Sequence, residues 1–201
     1  MRVLILVLAL FIISACSQGN GQVNQSNQTT PTVTPTPQIE KAKSTENECK
    51  ICDFDFAGYK GDLKKEEIDG LLLALNDEYM AWATYDQINK DFNNPRPFSN
   101  IQQAEARHAE RLKVVFKTYN LPVPENKWIG DVPKFQTVIE ACKAGVEAEI
   151  ANRDLYKRLF ETTTREDILV VYRALQRASE ENHLPAFQRC GEGRGGRSRP
   201  L

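Results

Sequence analysis

Histidine is almost missing from this chain: among 201 residues there are two, His108 and His183. Charge of one sign is missing as well, since 26 Lys and Arg stand against 27 Asp and Glu, a net charge of −1 that argues against nucleic acid as the main partner. After the apolar run from Val3 to Ile13 there is no long hydrophobic stretch, and that run is too short to span a bilayer as a mature helix. A second Cys-x-x-Cys is absent, which weighs against a self-contained four-cysteine iron centre for electron transfer built around Cys49-Lys50-Ile51-Cys52. Strand-like alternation is scarce between Asp62 and Cys190, where apolar residues recur instead at three and four positions. The expectation is an all-α domain.

The two histidines share a context. Glu105 precedes His108 by three residues and Glu180 precedes His183 by three, a spacing that puts a carboxylate and an imidazole one turn apart on the same helix. The surrounding pattern predicts four helices, at about 63–91, 100–119, 133–160 and 165–188. The first carries Leu71, Leu75, Glu78, Trp82 and Tyr85 on one face and is stopped by "NNPRP". The second, with Ser99 as its expected N-cap, aligns Ile101, Glu105, His108, Leu112 and Val115. The third aligns Cys142, Glu149, Tyr156 and Phe160, and the fourth Ile168, Tyr172, Gln176, Glu180, His183 and Phe187. Pro185 removes a hydrogen bond to the Glu181 carbonyl and is expected to kink the fourth helix beside His183. The connection around "YNLPVPEN" is longer than the other two and can cross the length of a bundle, which predicts two antiparallel helical hairpins joined by a long crossover.

The hairpins read as repeats. Glu78 and Tyr85 recur 71 residues later as Glu149 and Tyr156, and Glu105 and His108 recur 75 residues later as Glu180 and His183. Four buried carboxylates would repel one another and be costly to desolvate, and two divalent cations would neutralise them. Glu78, Glu105, His108, Glu149, Glu180 and His183 are thus the expected ligands of a dinuclear site, with iron favoured by the oxygen-rich set and manganese or zinc as alternatives. Glu147 competes with Glu149, but it points about 200° away on the helix and has no tyrosine seven residues on. Tyr85 and Tyr156 are either hydrogen-bond donors behind the ligands, redox-active neighbours, or core.

The stretches "IDGLLLALNDEYMAWATYDQI", "SNIQQAEARHAERLKVVFKTYNLPVP", "GVEAEIANRDLYKRL" and "VYRALQRASEENHLPAF" resemble the ferritin-like di-iron superfamily. They are closest to the ferritin-like domain-of-unknown-function 2202 family. The resemblance spans about Leu63 to Phe187 and implies a ferritin-like four-helix bundle with the same six ligands. It implies no one activity, since superfamily members store iron, oxidise it, reduce peroxide or oxygenate substrates. The expectation is an iron-binding protein that oxidises Fe(II) or reduces O2 or peroxide. A four-helix interaction module with a structural, redox-silent metal is the rival.

Outside the bundle, "MRVLILVLALFIISAC" has the layout of a secretory signal, and its Ile-Ser-Ala-Cys ending resembles a bacterial lipobox. The resemblance implies a signal peptide at 1–15, a lipidated Cys16, and an exported protein anchored on the outer side of the cell membrane. An ordinary cleaved signal with an incidental cysteine is the alternative. Residues 16–48, rich in Gln, Asn, Thr, Pro and Ser, are expected to form a disordered tether, 49–190 the bundle, and 191–201 ("GEGRGGRSRPL") a disordered basic tail.

Four cysteines remain. Cys49 and Cys52 could form a redox pair, half of a metal site or a local disulfide, and the disulfide is the expectation. Cys142 lies seven residues before Glu149 and Cys190 seven after His183. In antiparallel helices both displacements run toward the same end of the bundle, so a Cys142–Cys190 disulfide is expected there.

Overall fold

The computed structural model describes residues 48–194. These residues are all-helical, with no strand among them. The helices are α1 (Lys65–Asp91), α2 (Phe98–Thr118), α3 (Val138–Leu159), α4 (Glu166–Ala178) and α5 (Leu184–Gly191), and a π-helical turn, Ser179–His183, lies between α4 and α5. The signal at 1–15, Cys16, the tether up to residue 47 and the tail from residue 195 lie outside the described residues. No helix among those described is long and apolar enough to cross a membrane.

The helix ends follow local chemistry. α1 opens with the Glu67 carboxylate accepting from the Lys64 N–H at 2.9 Å. It ends where Asn93 and Asn94 take positive φ of 57° and 58°, a conformation asparagine tolerates better than most residues. A cis Arg96-Pro97 bond follows, and α2 starts directly after it at Phe98, so Ser99 is inside the helix and not its N-cap. Asn120, at φ 54°, closes α2, and the Leu121 N–H returns to the Phe116 carbonyl at 2.8 Å. α3 begins at Val138, five residues later than the expected 133. Thr137 is extended and its hydroxyl accepts from the Glu140 N–H at 3.1 Å, which fixes the start of the helix. The expected single fourth helix is divided by the π-turn.

The long connection between α2 and α3 is pinned to α1. Tyr79 donates its hydroxyl hydrogen to the Pro124 carbonyl at 3.0 Å, the Trp128 indole donates to Asn76 Oδ1 at 2.9 Å, and Asn126 donates to the Tyr79 carbonyl at 3.2 Å. These bonds satisfy polar groups that burial would otherwise leave unpaired.

Contacts between helices run in opposing order: as the number rises on α1 it falls on α2, through Glu78 with His108 and Asp86 and Asn89 with Gln102. Likewise α3 meets the last segments through Cys142 with Cys190, Glu149 with His183, and Arg153 with Gln176. Gly145 permits a close approach of Phe187, because a Cβ there would meet the Phe187 ring at 2.8 Å. Phe187 in turn sits 5.3 Å from the Tyr85 ring and 5.1 Å from that of Phe98, centroid to centroid.

The apolar core falls into two groups, one around Leu71, Leu75, Leu112, Phe116, Tyr156 and Tyr172, the other around Tyr85, Ile88, Phe98, Cys142, Phe187 and Cys190. Disulfides join Cys49 to Cys52 and Cys142 to Cys190, with Cα atoms 5.4 and 5.8 Å apart. Cys49 packs against the first group and the Cys142–Cys190 bridge lies in the second. Five buried Glu and His residues fall between these groups along their segments: Glu78 follows Leu75, Glu105 and His108 stand between Ile101 and Leu112, Glu149 follows Cys142, and His183 precedes Phe187, while Glu67, also buried, lies apart at the start of α1.

Candidate metal centre

Glu105 is the hub of the buried polar layer. One carboxylate oxygen, Oε2, lies 2.8 Å from His108 Nδ1, and the other, Oε1, lies 3.0 Å from His183 Nδ1. His108 Nδ1 is also 3.3 Å from Glu78 Oε2, and His183 Nδ1 is 3.6 Å from Glu149 Oε1. The two imidazoles stack with centroids 5.5 Å apart and planes 23° from parallel. Glu78, His108, Glu105, His183 and Glu149 thus form one continuous chain of side chains from α1, α2, α3 and the π-turn, and all five are buried.

A second ring of donors holds the outer carboxylates. Tyr156 on α3 donates to Glu78 Oε1 on α1 at 2.7 Å, and Tyr85 on α1 donates to Glu149 Oε1 on α3 at 3.2 Å. Each tyrosine therefore serves the glutamate of the opposite helix. Ser179 donates to Glu149 Oε2 at 2.5 Å.

Glu180 does not join the group, which corrects the sequence expectation. It is only half-buried, and its charge acts on Arg153 instead. The π-turn explains the change. With about 4.4 residues per turn, a residue three positions before His183 is rotated by about 115° from it, whereas one four positions before is nearly in line. Ser179 therefore faces the cluster where an α-helical Glu180 would have, while Glu105 and His108, on regular α2, keep the expected alignment. The expected disturbance beside Pro185 is real, and it takes the form of this turn, with the proline in the first turn of α5.

Three residues of the site escaped the sequence pattern. Asp77 and Asn152 line the same cavity as the Glu/His group, and Asn152 Nδ2 donates to Asp77 Oδ2 at 2.6 Å. Ser179 is the third. Asp77 stands 100° round α1 from Glu78, and only the facing position of Asn152 on α3 reveals that it belongs; no periodicity within one helix could have signalled it.

The electrostatics follow from burial. Burial pushes Glu78 up to about 8 and Asp77 up to about 7, and it raises Glu149 as well. Burial also works against the charged imidazoles, but hydrogen bonds and charge from Glu105 with Glu78 outweigh it, lifting His108 to about 9. Glu105 with Glu149 likewise lifts His183 to about 10. Glu105 itself is held at about 2 because the two histidines overcome its burial. The opposite shifts of Glu105 and the two histidines have one cause: the short contacts of its carboxylate with both imidazoles favour the charged form of each.

The residues fit a metal. Ligand atoms of Glu105, His108 and His183 all lie within 4.8 Å of one another. The cavity they line with Glu78 and Glu149 has a volume of about 50 Å3, and Asn152 Oδ1 is buried beside it without a hydrogen-bond partner. The protein therefore contains a buried Glu/His group that could hold a metal ion.

No known protein family's sequence profile matches the chain. It is similar to an uncharacterized protein, MJ0754 of Methanocaldococcus jannaschii, at 28% identity over 145 residues, covering 65% of this chain and 77% of that one. Its fold is similar to the crystal structure of the hypothetical protein MJ0754 from Methanococcus jannaschii, with a TM-score of 0.60 and 26% identity over 71% of this chain and 89% of that one.

Proposed function

We propose that this chain is a ferritin-like four-helix-bundle protein, two antiparallel hairpins joined by a crossover, that binds two metal ions, assigned as iron. It uses them to oxidise Fe(II) with O2 or to reduce peroxide. The observation that carries the reading is the bridging geometry of Glu105, one oxygen toward each imidazole, with Glu78 and Glu149 closing the two ends. The opposing order of contacts along α1 with α2, and along α3 with the last segments, supports the hairpin arrangement.

Iron, when bound, supplies the one-electron chemistry with oxygen or peroxide. The chain's residues do the rest. Glu105, His108 and His183 would hold the metal, the imidazoles as neutral ligands, with Glu78 and Glu149 beside them as further carboxylate ligands. Tyr156, Tyr85 and Ser179 fix the rotamers of the outer glutamates, as donors behind a metal shell do. Apolar groups flank the cluster along the helices on either side. Asp77, with a pKa near neutrality, is placed to take up or release a proton at the cavity wall. Manganese and zinc are the alternative occupants. In the same proposal the chain is exported and anchored by a lipid on Cys16 to the outer side of the bacterial cell membrane, supported by the lipobox-like ending of its first sixteen residues.

Aerobic addition of Fe(II) to the metal-free protein tests the function. Rapid appearance of ferric near-ultraviolet absorbance, saturating at about two irons per chain, is expected. A site that binds metal without oxidising Fe(II) would overturn the reading and leave a structural metal in an interaction module.

A further inference from the structure

A second opening lies on the seam between α2 and α4. Its volume is about 520 Å3, within the range of small-molecule pockets. Ala104 on α2 faces it with Ala174 and Ala178 on α4 and Ala186 on α5. Small residues at a seam where packed helices usually interdigitate larger ones leave the groove open. His108 and His183 line both this groove and the small cavity of the carboxylate cluster, so their rings form the partition between the two.

The groove is basic. Arg107 and Arg111, one turn apart on α2, line it together with Arg177 on α4, and no acidic residue does. All three are exposed, and none has a carboxylate partner among the described residues. Arg153, Arg165 and Arg173, by contrast, each hold an acidic side chain. Asn100 and Asn182 add amide donors to the same wall. Three unpaired guanidiniums around one concavity repel one another and concentrate positive potential over it. The guanidinium fork is suited to paired oxygens of a carboxylate or phosphate.

We propose that this groove binds a small oxyanion, a carboxylate or phosphate group, clamped by Arg107, Arg111 and Arg177. The ligand lies against the histidine partition. Its role as a substrate or modulator of the metal centre rests on the function proposed above, but its binding does not.

The test is calorimetric titration of the full chain, once metal-free and once metal-loaded, with inorganic phosphate and separately with succinate at low ionic strength. Saturable binding of one anion per chain to the metal-free protein is expected. It should weaken about tenfold or more in Arg177→Gln and in the Arg107→Gln, Arg111→Gln double variant. Arg189→Gln, an exposed arginine outside the groove, should bind as wild type does. Stronger binding of phosphate assigns a phosphate ligand, and stronger binding of succinate a carboxylate; either supports the clamp. No saturable binding of either anion, or equal losses in Arg189→Gln and the groove variants, would overturn it. Helical circular dichroism of each variant verifies folding. Anion binding that persists in a chain unable to take up metal would sink the metal reading alone.

Discussion

Tyr156 donates its hydroxyl hydrogen to Glu78 at 2.7 Å, tying α3 to the carboxylate that α1 contributes to the site. Tyr85 makes the reciprocal bond to Glu149, but at 3.2 Å. Tyr156→Phe leaves a buried carboxyl oxygen without its donor and should cost about 1 to 3 kcal/mol of stability. Tyr85→Phe, which removes the longer bond, should cost less. Denaturant unfolding of the two variants reads both values, and a larger loss for Tyr85→Phe would mean the two bonds are ranked wrongly.

Glu105 and Glu180 occupy matching places in the sequence repeat and different places in the structure. Glu105→Ala removes the bridge to both imidazoles and should abolish metal binding. Glu180→Ala should leave metal content close to wild type. Elemental analysis of the purified variants distinguishes them, and equal loss would show that the π-turn rearranges to bring Glu180 inward.

The same comparison shows what the sequence could and could not reveal. Glu78, Glu105, His108 and Glu149 were legible because α1, α2 and α3 run as unbroken α-helices past them, so three- and four-residue spacing translates directly into a shared face. The same geometry separates Glu149 from Glu147, and the structure buries the first and exposes the second. Glu180 departs from that spacing because one π-turn changes the angle per residue, and in the sequence only Pro185 signals it. Asp77 and Asn152 were invisible because their pairing is between helices. The late start of α3 had a local signal in Thr137 with Glu140 three residues on.

Equal treatment of Glu149 and Glu147 gives a further check. Glu149→Gln should weaken metal binding by tenfold or more, about 1.4 kcal/mol or above, while Glu147→Gln should leave it unchanged. Competition with a chromophoric chelator measures both affinities.

Stability should fall in acid partly through Glu67. Burial opposes its charge, but Thr163, the Lys64 N–H and Arg165 outweigh it and hold its carboxyl below the ordinary value of 4.5. A carboxyl with a depressed folded-state pKa stabilises the fold above its unfolded pKa and loses that contribution as pH falls through the folded one. Wild type should therefore exceed Glu67→Gln by about 1 kcal/mol at pH 7, and the gap should close below about pH 4. Thermal unfolding of both proteins across that range would expose a constant gap, which would refute the assignment.

The Cys142–Cys190 disulfide closes a loop with a sequence separation of 48 and fastens α5 to α3 at the end of the core where Phe187 packs over Gly145. Without it, the eight residues of α5 would rely on that packing and on the segment's continuity with the π-turn. Cys142→Ser with Cys190→Ser should lower stability by about 2 to 4 kcal/mol, mostly by freeing the unfolded chain. His183 lies seven residues before Cys190 and is held separately by Glu105 at 3.0 Å. Metal affinity should accordingly fall less than stability does. Unfolding in denaturant and chelator competition on the same double variant read the two effects. A collapse of metal binding with little change in stability would show that the bridge positions His183 rather than stapling the fold.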